Sequence, residues 1–114
     1  MRVKRGIATH AKHKKLLAGN KGYRMTKRRL IRVAKEASLH AGQYAYVGRK
    51  NKKRDFRRLW IIRINGFLNG LDVSYSQFIA GLKKANIILD RKILAELIID
   101  DPETFKKVVE KSRT

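Results

Sequence analysis

The second half of the chain carries apolar residues at helical spacing. A first stripe predicts a helix with one apolar face and comprises Phe56, Trp60, Ile64, Phe67, Leu68 and Leu71. Three shorter helices are predicted after it. Ser74 and Gln77 fit a capping box, Asp90 is a candidate N-cap, and Pro102 after Asp101 suits a first helical turn. A small helical bundle over residues 59–112, with Trp60 in its core, is the expectation.

A weaker helical pattern occupies residues 26–47. Its apolar positions are Leu30, Val33, Ala34, Ala37, Ala41 and Tyr44. Thr26 is a candidate N-cap, and because no proline interrupts residues 26–71, a single long helix is predicted, with a kink at Gly42 or Gly48 left open. Lys27, Arg28 and Arg29 would then lie in its first turn, where the helix dipole disfavours cations unless phosphates are bound.

Residues 1–25 contain few large apolar groups and many cations. A short helix begun by Thr9 and ended by Gly19 is compatible with them, but without a partner this segment should be largely disordered. The predicted fold class is therefore all-α. A long basic helical extension, residues 1–58, joins a small globular helical domain, residues 59–114.

The charge is distributed very unevenly between these two parts. Of the formal charge of +20, residues 1–58 contribute 20 Lys/Arg against two acids, and residues 59–114 contribute nine against seven. Such a polycation predicts a polyanionic partner. Nucleic acid is the commonest such partner, and an anionic membrane surface is the rival; composition alone does not separate RNA from DNA. The weak, Ala/Gly-rich face of the long helix argues against the membrane.

Catalytic and metal-binding patterns are not apparent. The chain has no Cys, and its first residues lead into no apolar region of the kind found in signal peptides. The apolar stretch from Leu59 to Leu71 is too short to span a bilayer. His10 and His13 lie three residues apart without a nearby acid, and the pair Asp100 and Asp101 is interpreted as a helix boundary. The expectation is a protein without enzymatic activity, cofactor, metal or small-molecule substrate.

The candidate RNA-binding residues are the cations of the extension with two tyrosines that could stack on bases, plus three cations of the bundle. For Arg63, an ion pair inside the bundle and a phosphate contact are both open. The full set is Arg2, Lys4, Arg5, His10, His13, Lys14, Lys15, Lys21, Tyr23, Arg24, Lys27, Arg28, Arg29, Arg32, Lys35, Tyr44, Arg49, Lys50, Lys52, Lys53, Arg54, Arg57, Arg58, Arg63, Lys83 and Lys84.

Several segments resemble the L-twenty family of ribosomal proteins of the bacterial and organellar large subunit. They are residues 53–65 (KRDFRRLWIIRIN), 74–85 (SYSQFIAGLKKA) and 89–92 (LDRK), with VKRG, HKK, KGYR and AGQYAY upstream. Residues 66–70 depart from the family pattern, because Asn69 stands where a basic residue is usual and lacks the charge that a phosphate contact would use.

The resemblance implies a protein of the ribosome, in a bacterial cytoplasm or an organelle, with two kinds of partner. These partners are large-subunit ribosomal RNA, which such proteins bind directly, and neighbouring large-subunit proteins. It also implies a role in early subunit assembly, an extension that threads between RNA helices, and a globular part that packs on the RNA surface. Some family members also repress translation of their own messenger RNA.

Overall fold

The computed structural model describes residues 6–113, and in this part of the chain every regular element is a helix and there are no strands. Its elements are α1 (Ile7–Gly19), a 3-10 helix (Met25–Arg28), α2 (Ile31–Asn69), α3 (Tyr75–Lys84), α4 (Arg91–Asp100) and α5 (Pro102–Arg113). The all-α prediction is confirmed, including a long basic helix followed by shorter ones.

Helix α1 begins and ends differently from the prediction. Gly6, in extended conformation, is its N-cap, so Thr9 lies inside the helix and does not cap it. Gly19 is the last helical residue, and the left-handed conformation falls at Gly22, with φ of 88°. A short helix that ends at Gly19 is thus present, but the predicted cap at Thr9 and the predicted left-handed conformation at Gly19 are wrong. The helix begins at Ile7, before Thr9, and the left-handed residue lies three positions after Gly19.

Helix α2 starts five residues later than predicted. Met25–Arg28 form a 3-10 helix, and the Thr26 carbonyl accepts hydrogen bonds from the N–H groups of Arg29 and Leu30. Thr26 is thus not the N-cap of α2, and Lys27, Arg28 and Arg29 precede its first turn. From Ile31 the helix runs for 39 residues and stays helical at Gly42 and Gly48.

The bundle core gathers around Phe105. Its ring meets the edge of Phe67 at 5.2 Å between centroids and packs at 5.6 Å against Phe78. The buried cluster comprises Ile64, Leu68, Val73, Phe78, Leu82, Leu94, Ala95, Phe105 and Val109. Trp60 is only half-buried. It packs against this cluster, but it is not one of the buried core residues that the sequence led us to expect.

Two helices of the bundle, α2 and α3, each end in a hydrogen-bonded turn of the same type. After α2, Asp72 is left-handed (φ 54°) and the Val73 N–H donates to the Leu68 carbonyl at 3.2 Å. After α3, Asn86 is left-handed (φ 53°) in an equivalent turn closed by Ile87. Asn and Asp tolerate this conformation better than other non-glycine residues. The stop predicted at Asn86 is confirmed.

The three short helices of the bundle begin where the sequence predicts, but only two of them have a side-chain cap. Ser74 and Gln77 form the complete capping box of α3, as predicted. Asp90 occupies the N-cap position of α4, but its side chain makes no capping hydrogen bond. Asp101 caps α5, because its Oδ1 accepts the Thr104 N–H at 3.0 Å.

The chain divides into two compact units between Lys50 and Asn51, within α2. The division expected from the sequence lies eight residues later, after Arg58, and it stays a prediction. The N-terminal unit is the part up to Lys50, and the name bundle is kept for residues 59–114, the helical domain expected from the sequence.

Candidate nucleic-acid interface

The cations of the basic extension that the structure describes all face solvent. Every lysine and arginine between Gly6 and Arg58 has an exposed side chain, and so does each histidine of α1. Arg2, Lys4 and Arg5, also predicted to bind RNA, lie outside the described residues. The exposed set is His10, Lys12, His13, Lys14, Lys15, Lys21, Arg24, Lys27, Arg28, Arg29, Arg32, Lys35, Arg49, Lys50, Lys52, Lys53, Arg54, Arg57 and Arg58.

One buried asparagine holds the N-terminal unit together. Asn20 is 2% exposed, and its Nδ2 donates to the Ala34 carbonyl at 2.7 Å and to the Lys27 carbonyl at 3.3 Å. Ala34 is itself fully buried in the first turn of α2. These bonds fold the segment between α1 and α2 back onto α2. Sequence reasoning missed Asn20, because a single asparagine between two glycines carries no pattern that distinguishes it from a turn residue.

The segment held by Asn20 creates an open groove of about 570 Å³ on the N-terminal unit. Tyr23, Arg24 and Lys27 form one side, and α2 forms the other with the exposed Tyr44. We call it the tyrosine groove; it is lined by Tyr23, Arg24, Lys27, Val33, Glu36, Ala37, His40, Ala41 and Tyr44. It brings four predicted site residues together: both tyrosines, Arg24 and Lys27.

A second groove shares Tyr23 with the first. Its volume is about 390 Å³, and Lys12 and Lys15 of α1 line it together with Ser38 of α2. Lys15 was predicted to bind RNA, whereas Lys12 was not. The predicted cations of α1 are therefore distributed around the helix and do not all face one cleft, since His10, His13 and Lys14 are absent from this groove.

Two aromatic residues of α2 are each covered by a lysine of the same helix. Lys50 Nζ lies 5.4 Å from the Tyr46 ring centroid, and Lys52 Nζ lies 6.0 Å from that of Phe56. Cation–π attraction at such exposed sites is worth about 0.5–1 kcal/mol. The lysines thus offer cations and the rings offer apolar surface within the same short stretch of helix.

The candidate residues of the bundle lie on its surface. Arg63 is exposed, so an ion pair inside the bundle is wrong and a phosphate contact is the prediction that is left. Lys83 and Lys84 are exposed in the last turn of α3, where cations interact favourably with the helix dipole. Lys84 also lines a groove of about 520 Å³ between α3 and the end of α5.

Nothing in residues 6–113 suggests a metal centre or a membrane segment. No three His, Asp or Glu side chains in that range come together as metal ligands could. None of its helices combines the length and the apolar character that crossing a bilayer requires. Solvent-exposed cations, three grooves and exposed aromatic rings are what this surface offers, and such groups bind polyanions.

Comparison with known proteins identifies the family. Residues 2–108 match the family described as Ribosomal protein L20. Proteins named "Large ribosomal subunit protein bL20" are similar over nearly the whole chain. That of Methylibium petroleiphilum is 54% identical over 110 residues, covering 96% of this chain and 93% of its own length. Those of Bordetella petrii and Roseiflexus sp. are both 53% identical over 112 residues, covering 98% of this chain and 94% and 96% of their own lengths. The chain belongs to the ribosomal protein L20 family, a family of structural, non-enzymatic proteins.

Proposed function

We infer that this protein is a structural constituent of the large ribosomal subunit, that it binds large-subunit ribosomal RNA directly, and that it supports early assembly of the subunit. The observation that carries the proposal is that every lysine and arginine between Gly6 and Arg58 is exposed to solvent. The similar proteins are named as large-subunit proteins, and neighbouring proteins of that subunit are the further partners we propose.

The mechanism is electrostatic. RNA segments that converge in a subunit repel each other through their phosphates, and exposed Lys and Arg side chains lower that repulsion. Only one acidic residue, Glu36, lies among the described cations up to Lys50, so little of this charge is neutralised within the protein itself. Binding then releases counterions from the RNA, which makes affinity strongly dependent on salt.

Salt dependence provides the first test. For a structured fragment of large-subunit RNA, log K should fall linearly with log salt concentration, by roughly 0.7–0.9 per neutralised phosphate. Filter binding or fluorescence anisotropy of the full chain measures this slope. An affinity that does not change with salt would contradict the electrostatic mechanism.

Charge reversal tests which cations contribute. A variant with Arg28, Arg32 and Arg54 changed to Glu should lose about 2–3 from the magnitude of the salt slope, as three phosphate contacts are removed. The matched control reverses Lys92, Lys106 and Lys107 of the bundle, which are equally exposed but were not predicted to bind. Equal losses in both variants would mean that net charge alone matters. Normal retention of the first variant in assembled subunits would contradict the proposed interface.

Crosslinking in cells, followed by sequencing of the attached nucleic acid, separates the proposed partner from its alternatives. Large-subunit ribosomal RNA should dominate, and the protein should sediment with the ribosome. Chromosomal fragments would instead indicate DNA compaction. Recovery of the protein's own messenger RNA would show that it also binds that message, which repression of its own translation requires.

A further inference from the structure

The tyrosine groove contains an acidic side chain that general phosphate binding does not explain. Glu36 lines it on the α2 side, opposite Arg24 and Lys27, and it is one of only two acids in residues 1–58. A carboxylate repels phosphate, so its presence lowers the affinity of the groove for RNA backbone. A carboxylate accepts hydrogen bonds only, and the edges of unpaired bases offer N–H donors.

The α2 side of the groove also offers a stacking surface. The rings of His40 and Tyr44 are stacked with centroids 6.1 Å apart and an angle of 23° between their planes. Tyr44 is 71% exposed, so the outer face of its ring is available to a ligand. Aromatic side chains stack on bases of any identity, because every base has a π face. The volume of about 570 Å³ lies in the range of small-ligand sites and accommodates one nucleoside.

The position of Glu36 makes the acidic and aromatic features one site. Its Oε1 lies 3.8 Å from His40 Nε2, one turn along α2, and its side chain is 73% exposed. The carboxylate is therefore next to the stacking surface and free to accept bonds at its edge. Arg24 and Lys27 stand across the groove, where they can contact the phosphates on either side of the nucleotide.

We propose that the tyrosine groove binds a single unpaired guanine of the RNA, with Glu36 reading its Watson–Crick edge and Tyr44 stacking on its face. Guanine alone among the four bases presents two adjacent donors there, N1–H and the N2 amino group, which match the two oxygens of a carboxylate. Adenine and cytosine each present one amino donor and uracil one imino donor. This inference rests on the proposed function, since it names the element of RNA that the same surface recognises.

The test uses RNA hairpins that differ only in one bulged nucleotide, with the full chain as the binding protein. Fluorescence anisotropy should show the guanine bulge binding about tenfold more tightly than adenine, cytosine or uracil bulges. Inosine lacks the amino group and 2-aminopurine lacks the N1–H, so each should fall between guanine and adenine.

Two substitutions in the groove and one control outside it test whether the groove carries the preference. Glu36→Gln should reduce it to within about twofold, because the amide supplies one acceptor in place of two. Asp55→Asn is the matched control: it removes the other acid of the basic half, exposed on α2 outside the groove, and should keep the preference. Tyr44→Leu should weaken binding of every bulged hairpin by at least about fivefold.

The outcomes separate this inference from the proposed function. Failure of the unmodified chain to bind any hairpin at low salt would overturn both. Tight, salt-dependent binding without a guanine preference would overturn only the inference, as would equal effects of Glu36→Gln and Asp55→Asn. In that case Glu36 and His40 are an ordinary surface pair one helical turn apart.

Discussion

At the scale of single residues, Asn20 shows how one amide organises a basic segment that has almost no apolar core. Its two donated hydrogen bonds join the segment after α1 to the first turn of α2. Apart from Ala34, no apolar side chain among the described residues before Lys50 is fully buried. The geometry of the tyrosine groove therefore depends on this polar contact more than on hydrophobic packing.

Replacing Asn20 by Ala should open the segment around the groove. The carbonyls of Lys27 and Ala34 then lose the hydrogen bonds that the Asn20 amide donates, which lowers the local free energy of unfolding by about 1–3 kcal/mol. Amide hydrogen exchange should accelerate by about 5- to 100-fold at Tyr23 and Leu30, whose N–H groups bond within this segment. Asn51→Ala, on the exposed middle of α2, is the control. Unchanged exchange in the Asn20 variant would show that the contact is dispensable.

Asp101 provides a residue-scale prediction about pH. The Thr104 hydroxyl, and then the Thr104 N–H, donate to its carboxylate and hold the pKa of Asp101 below its usual value of 3.8. A lowered pKa in the folded state means that the ionised group favours folding. Its contribution is fully present above pH 3.8 and is lost as the pH falls through the folded-state pKa.

Asp101→Asn tests this linkage, because the amide is still an acceptable cap but does not ionise. The wild-type protein should melt at a higher temperature than the variant near neutral pH, and the difference should close as the pH falls below 3.8. When Thr104→Val removes the hydroxyl donor, Asp101→Asn should cause a smaller difference in melting temperature. A gap between wild type and Asp101→Asn that is constant with pH would contradict the assignment.

At the scale of elements, helical periodicity predicted the helices but not every boundary. The capping box at Ser74 and the stop at Asn86 are local features, and both were readable from the sequence. The start of α2 could not be predicted in this way. Residues 27–29 continue the helical pattern in the sequence, but the Lys27 carbonyl accepts a hydrogen bond from the side chain of Asn20, which lies outside that pattern. The cations of the candidate site could be named from composition, whereas their grouping with Glu36 and His40 arises from tertiary contacts that no spacing encodes.

The crossing of α3 and α5 depends on Gly81. A Cβ added there would lie 2.0 Å from the Ser112 carbonyl oxygen, so Gly81→Ala must displace the end of α5. The overpacked crossing should cost about 1–3 kcal/mol of stability. Gly66→Ala is the matched control, because its added methyl group meets nothing within 4 Å and α2 gains helix propensity of about 1 kcal/mol. Urea unfolding should show a lower midpoint for Gly81→Ala and a higher one for Gly66→Ala. Equal shifts of the two midpoints would reject this account of the crossing.

At the scale of the whole molecule, folding stability and charge are separated along the chain. The buried apolar cluster begins at Ile64 and belongs entirely to the bundle, where the charge is nearly balanced. The densest cationic run, residues 48–58, contributes exposed side chains and no buried one. A polycation repels itself, and placing it outside the core leaves the bundle free of that cost.

This separation predicts that the bundle folds without the basic extension. Residues 59–114, the domain expected from the sequence, contain all nine residues of the buried cluster, and residues 51–114 add Phe56, whose ring lies 6.2 Å from that of Trp60. Both fragments should give dispersed amide spectra, because neither lacks a core contact. The longer one should be more stable by up to about 1 kcal/mol, the worth of an aromatic pair at the rim. A dispersed spectrum from residues 51–114 alone would place the domain boundary at Asn51, and a collapsed spectrum from both would show that the core needs the N-terminal unit.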